Sequence, residues 1–271
     1  MSGRLDVLIP TCNRAAALGA CLATLAHQQG PPLRIVIADQ SDPPGVAEVA
    51  EVQAVLRWLL ACGHHVEVWR HLPRRGMAEQ RAFLLSLAEG PACLFLDDDV
   101  LLDADLLARL QAVLAAEGCG FVGSALHGLS YLDDVRPHEQ AISFWDGPVR
   151  PETVLPDTPA WARHRLHNAA NLYHVQQARP GATRRYRVAW VGGCVLFDTA
   201  KLRAAGGFDF WPELPPEHSG EDVLAQLRLM ARDGGCAILP SGAYHMELPT
   251  TIPRRPVDAP RLLWPPPRER A

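Results

Sequence analysis

At 271 residues the chain has room for one large α/β domain or two small ones. Its 48% hydrophobic and 21% charged residues are the balance of a globular protein with a sizeable core. A formal net charge of −4 argues against a nucleic-acid partner, which usually requires a basic face.

In chain order, "LDVLIP" (5–10) reads as a strand and "AALGACLATLAHQ" (16–28) as a helix with apolar spacing near 3.6. A second strand, "LRIVIAD" (33–39), is followed by the turn-rich "QSDPPG" (40–45) and a helix over roughly 46–61. "HVEVWRH" (65–71) is a third strand and "GMAEQRAFLLSLAE" (76–89) a helix. "ACLFLDDD" (92–99) is a fourth strand, and a helix over 103–117 starts behind Asp103. Such alternation implies a mostly parallel sheet with right-handed crossovers. Ligands of these sheets sit at the carboxyl ends of the strands, where "PTCNR", "ADQSD", "RRG" and "DDD" would gather.

The second half is less regular. Residues 119–128 look like another strand, and about 130–187 form a long excursion with one helix around 159–177. Residues 186–198 return to strand character. A helix over 219–235 and a strand over 236–245 follow, and from about 247 a proline-rich tail shows no hydrophobic period. The chain therefore divides into 1–128, an irregular 129–187, a second half 188–246, and the tail 247–271.

Seven cysteines, an odd number with no C-x-x-C pair, favour buried free thiols in a reducing compartment over disulfides or a zinc site. Asp6 interrupts the apolar N-terminus, which speaks against a signal peptide, and no uncharged stretch approaches a membrane span. The expectation is a cytoplasmic protein without a transmembrane segment, with contact at the membrane periphery left open. Lys201 is the only lysine, so any phosphate chemistry must otherwise rely on arginine.

The strand at 92–96 ends in three carboxylates, Asp97, Asp98 and Asp99. Mutual repulsion and desolvation oppose such a cluster, so a positive partner is required there. A hard divalent cation takes one or two carboxylates plus phosphate oxygens of a substrate. A solvated acidic turn fits Asp103 better than it fits these three.

The order "VLIPTCNR", "IVIAD", "RRGMAEQR", "LFLDDD", "WVGGCVLF…AAGGFD", "GEDVLAQLRLMARDG" and "YH" resembles a family 2 glycosyltransferase over most of residues 4–246. The resemblance implies an α/β fold: a single GT-A domain with a mostly parallel nucleotide-binding sheet flanked by helices, plus an irregular acceptor-side excursion at 129–187. It implies that Asp99 ligates Mn²⁺ or Mg²⁺, that Asp97 contacts the ribose or the metal shell with Asp98 between them, and that His245 completes the metal site. Asp222 would be the general base, with Glu221 positioning acceptor or base, although acidic residues at a helix start also simply stabilise its dipole. Pro10, Thr11, Arg14, Asp39, Gly76 and Arg81 would bind the nucleotide. Trp190, Gly192 and Gly193 would floor the donor-sugar and acceptor site. Ala82 replaces a common asparagine, and Gln40, Ser41 and Asp42 replace a second acidic residue and a Gly-Ser pair, which leaves the base open.

The implied reaction moves a sugar from a nucleoside-diphosphate sugar to an acceptor hydroxyl on a glycan, a lipid-linked molecule or a small molecule. Inversion is favoured, while some relatives with a metal-binding histidine retain configuration. A non-catalytic sugar-nucleotide or glycan module is the alternative. A sugar-phosphate nucleotidylyltransferase is a further one, and it would normally show a Gly-rich loop and lysines. A P-loop kinase or Rossmann dehydrogenase is excluded by the missing glycine motifs.

Overall fold

The computed structural model describes residues 4–265. Its first half is the expected alternation: β1 (Asp6–Thr11), α1 (Ala15–Leu25), β2 (Arg34–Asp39), α2 (Ala50–Ala61), β3 (His65–Arg70), α3 (Met77–Leu87) and β4 (Ala92–Leu96). Then come β5 (Val100–Leu102), α4 (Leu106–Glu117), β6 (Phe121–Gly123), β7 (His127–Gly128), α5 (Asn171–Gln177), β8 (Arg184–Tyr186), β9 (Cys194–Asp198) and α6 (Thr199–Ala204). The chain closes with β10 (His218–Ser219), α7 (Glu221–Asp233), β11 (Gly235–Leu239), β12 (Ala243–His245), β13 (Val257–Asp258) and α8 (Ala259–Leu263).

Eight strands form one sheet in the order β3-β2-β1-β4-β9-β6-β11-β8. The run β3-β2-β1-β4 is parallel, β9 lies antiparallel between β4 and β6, and β11 joins β6 in parallel. β1, β2 and β4 are buried along their whole length, because helices cover both faces. Side chains of β1 alternate with the period of two that a strand imposes. Leu8 packs into the layer with α3 and α7, whereas Val7 and Ile9 pack into the layer with α1, α2 and α4. No helix among the described residues is long and apolar enough to cross a membrane. Five of the seven free cysteines are buried, and Cys62 is exposed.

Several expected strands are shorter than their hydrophobic runs. Residues 119–128 split into β6 and β7, which belong to different sheets, and 236–245 split into β11 and β12 in the same way. The breaks deliver β12 to a small sheet, β5-β12-β7, beside the acidic turn. The expected helix over 159–177 is a 3₁₀ stretch at Trp161–His167 followed by α5. Asp198 caps α6, accepting from the Lys201 amide, in a stretch whose pattern predicts no helix.

The proline-rich tail carries no expected structure, and here the fold corrects that reading through residue 265. β13 pairs in parallel with β10, with His218 opposite Val257 and Ser219 opposite Asp258. The Trp264 indole donates to the Val154 carbonyl at 2.9 Å while its ring packs on the core. Proline removes donors and helical periodicity without preventing such anchoring. Trp264→Ala should therefore cost about 2 kcal/mol or more of stability, read as a lower urea midpoint. An unchanged midpoint would show the tail to be unattached.

Candidate active site

The parallel register brings the ends of β1, β2 and β4 to one edge, with Thr11 opposite Asp39. After β4 the chain turns through Asp97, Asp98 and Asp99 into β5. β9 starts at the same edge because it runs antiparallel, so the Asp97 amide donates to the Gly193 carbonyl at 2.9 Å. Gly193 has φ +72, and a Cβ there would meet Leu126 Cδ1 at 2.4 Å. Only glycine fits that position.

A cleft of about 300 Å³ opens here. Of the residues expected from sequence, Pro10, Thr11, Arg14, Arg81, Asp97, Asp98, Asp99, Glu221, Asp222 and His245 all line it. Residues more than two hundred positions apart are thus gathered by the sheet edge, the start of α7 and the end of β12.

The acidic turn is held by specific partners. Thr11 Oγ1 donates to Asp98 Oδ2 at 2.7 Å. Arg14 Nη1 lies 2.7 Å from Asp99 Oδ2 and 3.3 Å from Asp98 Oδ1, while its Nη2 donates to the Pro249 carbonyl. Burial pushes the Asp98 carboxyl up to about 6; Thr11 and Arg14 pull against this, and the Asp99 and Asp97 charges add to it. The positive partner anticipated for this cluster is therefore supplied in part by Arg14.

Arg81 joins the two acidic groups across the cleft. Its Nη2 donates to Asp97 Oδ1 at 2.9 Å and its Nε to Glu221 Oε1 at 3.1 Å. Burial works against the guanidinium charge, but the Asp97, Glu221 and Asp222 carboxylates outweigh it and hold the pKa above its ordinary value. Asp222, at the start of α7, has its carboxyl pushed up to about 7, first by burial and then by the neighbouring Glu221 charge, against the pull of Arg81.

His245 reaches the turn because β12 pairs antiparallel with β5, placing His245 opposite Val100. Its Nε2 lies 3.4 Å from Asp99 Oδ2. Among the described residues no group of three or more His, Cys, Asp or Glu side chains is arranged to hold a metal. A cation bound with a diphosphate needs only one or two protein ligands, and Asp99 with His245 fits that number. Two contacts would have to change. Arg14 must leave Asp99 Oδ2, and the Glu247 amide, which donates to His245 Nδ1 at 2.9 Å, must give up that bond. While Nδ1 accepts, the ring proton resides on Nε2, the atom that would face the ion.

The remaining expected residues lie outside the cleft lining. Asp39 is fully buried and accepts from the Ser41 and Val46 amides and from Arg70 Nη1 at 2.7, 2.9 and 2.6 Å. Burial raises its carboxyl pKa, and these hydrogen bonds outweigh that and leave it below the ordinary value. Gly76, at φ +104, has His218 Cε1 and the Pro216 carbonyl 2.9 Å from where a Cβ would stand, so packing within the protein requires glycine there. The Trp190 ring is covered by His164, stacked at 4.8 Å, and by Trp161 at 4.5 Å. Gly192 borders open space.

Sequence reasoning missed Gln80, His218 and the tail residues Leu248, Thr250, Thr251, Ile252 and Arg255, which also line the cleft. Gln80 Nε2 donates to the Ala38 carbonyl at 2.7 Å, fixing α3 to β2. His218 Nδ1 donates to the Pro215 carbonyl at 2.6 Å and its Nε2 accepts from the Ala78 amide at 3.2 Å. That arrangement requires a neutral ring, in keeping with the lowering of its pKa by burial. The repeated polar residues among the tail prolines, Thr250, Thr251 and Arg255, were the one signal for the strap.

The model of the family described as "Glycosyl transferase family 2" matches residues 6–175. No curated protein sequence matches the chain. Among solved structures it is similar to S. aureus TarS 1–349, at 17% identity and TM-score 0.57, over 89% of this chain and 60% of that one. The same protein in complex with UDP-GlcNAc gives 15% identity and TM-score 0.55, over 92% and 60%. The mannosyltransferase PcManGT from Pyrobaculum calidifontis, in complex with GDP-Man and Mn²⁺, gives 19% and 0.51, over 88% and 57%. The chain thus spans about three fifths of the TarS 1–349 and PcManGT chains and 36% of the longer TarS chain, and at such identities the likeness is one of fold. With well over half of its length matched by the family model, the chain belongs to glycosyl transferase family 2.

Proposed function

We propose that the protein transfers a sugar from a nucleoside-diphosphate sugar to an acceptor hydroxyl. The observation that carries this reading is the meeting of the Asp97–Asp99 turn with Glu221 and Asp222 across one cleft, bridged by Arg81. One acidic group suits the donor side and the other the acceptor side of a group transfer.

Thr11 and Arg14, at the end of β1, would contact the nucleotide, with Pro10 supplying backbone. Asp97 would take the ribose, and Arg81 would hold Asp97 and Glu221 in register. Asp222 would accept the acceptor hydroxyl proton as the oxygen attacks the anomeric carbon, and a carboxylate with a pKa near 7 suits that task at neutral pH. Asp99 and His245 would hold a Mn²⁺ or Mg²⁺ ion, which when bound supplies positive charge to the departing diphosphate. In-line attack inverts the anomeric centre, and NMR of the product anomer decides that point. A retained anomer would remove the base role of Asp222.

The solved relatives bear UDP-GlcNAc and GDP-Man, so UDP and GDP are the first nucleotides to titrate, each with and without Mn²⁺. Metal-dependent binding of one supports the donor reading and names its base. Binding of neither, nor of dTDP or CDP, would refute it. The excursion at 129–187, including the Trp161–His164 layer over Trp190, is assigned to the acceptor side.

A further inference from the structure

We propose that Arg255, on the C-terminal strap, is a ligand of the donor's terminal phosphate, an assignment that rests on the nucleotide-sugar reading above. Three arginines line the cleft, and two of them are committed. Arg14 is paired with Asp98 and Asp99, and Arg81 with Asp97 and Glu221. Among the described residues Arg255 makes no ion pair. Its Nε donates to the Ile252 carbonyl at 3.1 Å and its Nη2 to Thr250 Oγ1 at 2.5 Å, contacts within the strap itself. Lys201, the only lysine of the chain, donates to the Gly118 carbonyl and is not among the cleft residues.

Charge makes a free guanidinium necessary. A diphosphate entering the cleft meets five carboxylates, Asp97, Asp98, Asp99, Glu221 and Asp222. One divalent cation leaves part of that repulsion uncompensated, and a guanidinium matches phosphate oxygens with two parallel donors.

Topology decides which phosphate. Val257 and Asp258 pair with His218 and Ser219, immediately before Glu221 and Asp222 on α7. Arg255 stands two residues before Val257, so it lies on the side of the cleft that carries the base. The base takes its proton from the acceptor oxygen, which attacks the face of the anomeric carbon opposite the leaving group; of the two phosphates the terminal one, bonded to that carbon, stands nearer the base end of the cleft. The strap's other end is fixed by the Arg14–Pro249 contact, which sets Thr250 beside the acidic turn. Arg255, exposed on the cleft lining, thus stands between these two anchors, on an element that lies beyond residues 6–175.

The test is calorimetric titration of UDP, GDP, UMP and GMP, each with Mn²⁺, into wild type, Arg255→Gln, Arg255→Lys and Arg254→Gln. Arg254 is exposed and not part of the cleft lining, so Arg254→Gln controls for general charge. Loss of the guanidinium should weaken the preferred diphosphate by about 10- to 100-fold, and the matching monophosphate by less than about 3-fold. Arg255→Lys should recover part of the loss, and Arg254→Gln should match wild type. Equal losses for di- and monophosphate, or no loss, would overturn the assignment while leaving the transferase reading intact. A wild-type protein that binds none of the four, nor dTDP or CDP, would overturn both.

Discussion

Asp222→Asn is expected to lower sugar transfer by about 10²- to 10⁴-fold while leaving diphosphate affinity within about 3-fold and making the folded protein more stable at pH 8. The first two effects follow from the proposed role of Asp222, at the head of α7, as the base for the acceptor hydroxyl. Removing a base leaves the donor site intact, so a binding module and a transferase part company at this variant. The third effect follows from proton linkage. The carboxyl ordinarily titrates at 3.8 and is raised to about 7 in the folded state by burial and by Glu221. The folded state therefore binds this proton more tightly than the unfolded chain, and stability falls as pH climbs from about 4 to about 7. Asparagine carries no such charge. Its stability advantage should be absent below about pH 4, grow through that window and level off above it, at on the order of 4 kcal/mol. Denaturant unfolding at pH 3.5 and pH 8 measures it, and no difference between the two would show that the carboxyl is not raised. In wild type, kcat should rise with pH through an acidic limb near 7.

Asp99→Ala is expected to remove at least about 100-fold of the metal-dependent diphosphate affinity. Loss of mere outer partners of a metal ligand already costs 10- to 100-fold, and Asp99 would be the ligand itself. The variant also strips Arg14 of its shorter ion pair, leaving that guanidinium with Asp98 and the Pro249 carbonyl. Affinity measured without metal should change little or improve slightly, because a carboxylate that repels phosphate has gone. Titration of UDP and GDP with and without Mn²⁺ reads both terms. An unchanged Mn²⁺ effect in Asp99→Ala would move the cation away from this turn.

The acidic turn is legible in the sequence because "CLFL" followed by three aspartates contradicts ordinary burial, and contradictions of this kind concentrate at functional sites. The acidic pair in "GED" is legible only by its place in a series, since acids at a helix start are commonplace. Asp39 shows the limit. Its type and position suit a base contact, yet Arg70 and two amides occupy its oxygens, a competition that no local pattern reveals.

Local pattern is enough to set the strand–helix alternation, the parallel half of the sheet and the edge where the polar strand ends meet. These follow from periods of two and 3.6, which each segment of the chain carries on its own. Packing of the whole chain decides where long apolar runs change sheets, as 119–128 and 236–245 do to bring His245 against Asp99. It also decides that Arg81 spans two acidic groups far apart in sequence, and that a proline-rich tail returns as a strap carrying Arg255 to the cleft. Ion pairs and edge pairings of this kind depend on which distant surfaces meet, and that is settled only when the entire core has packed.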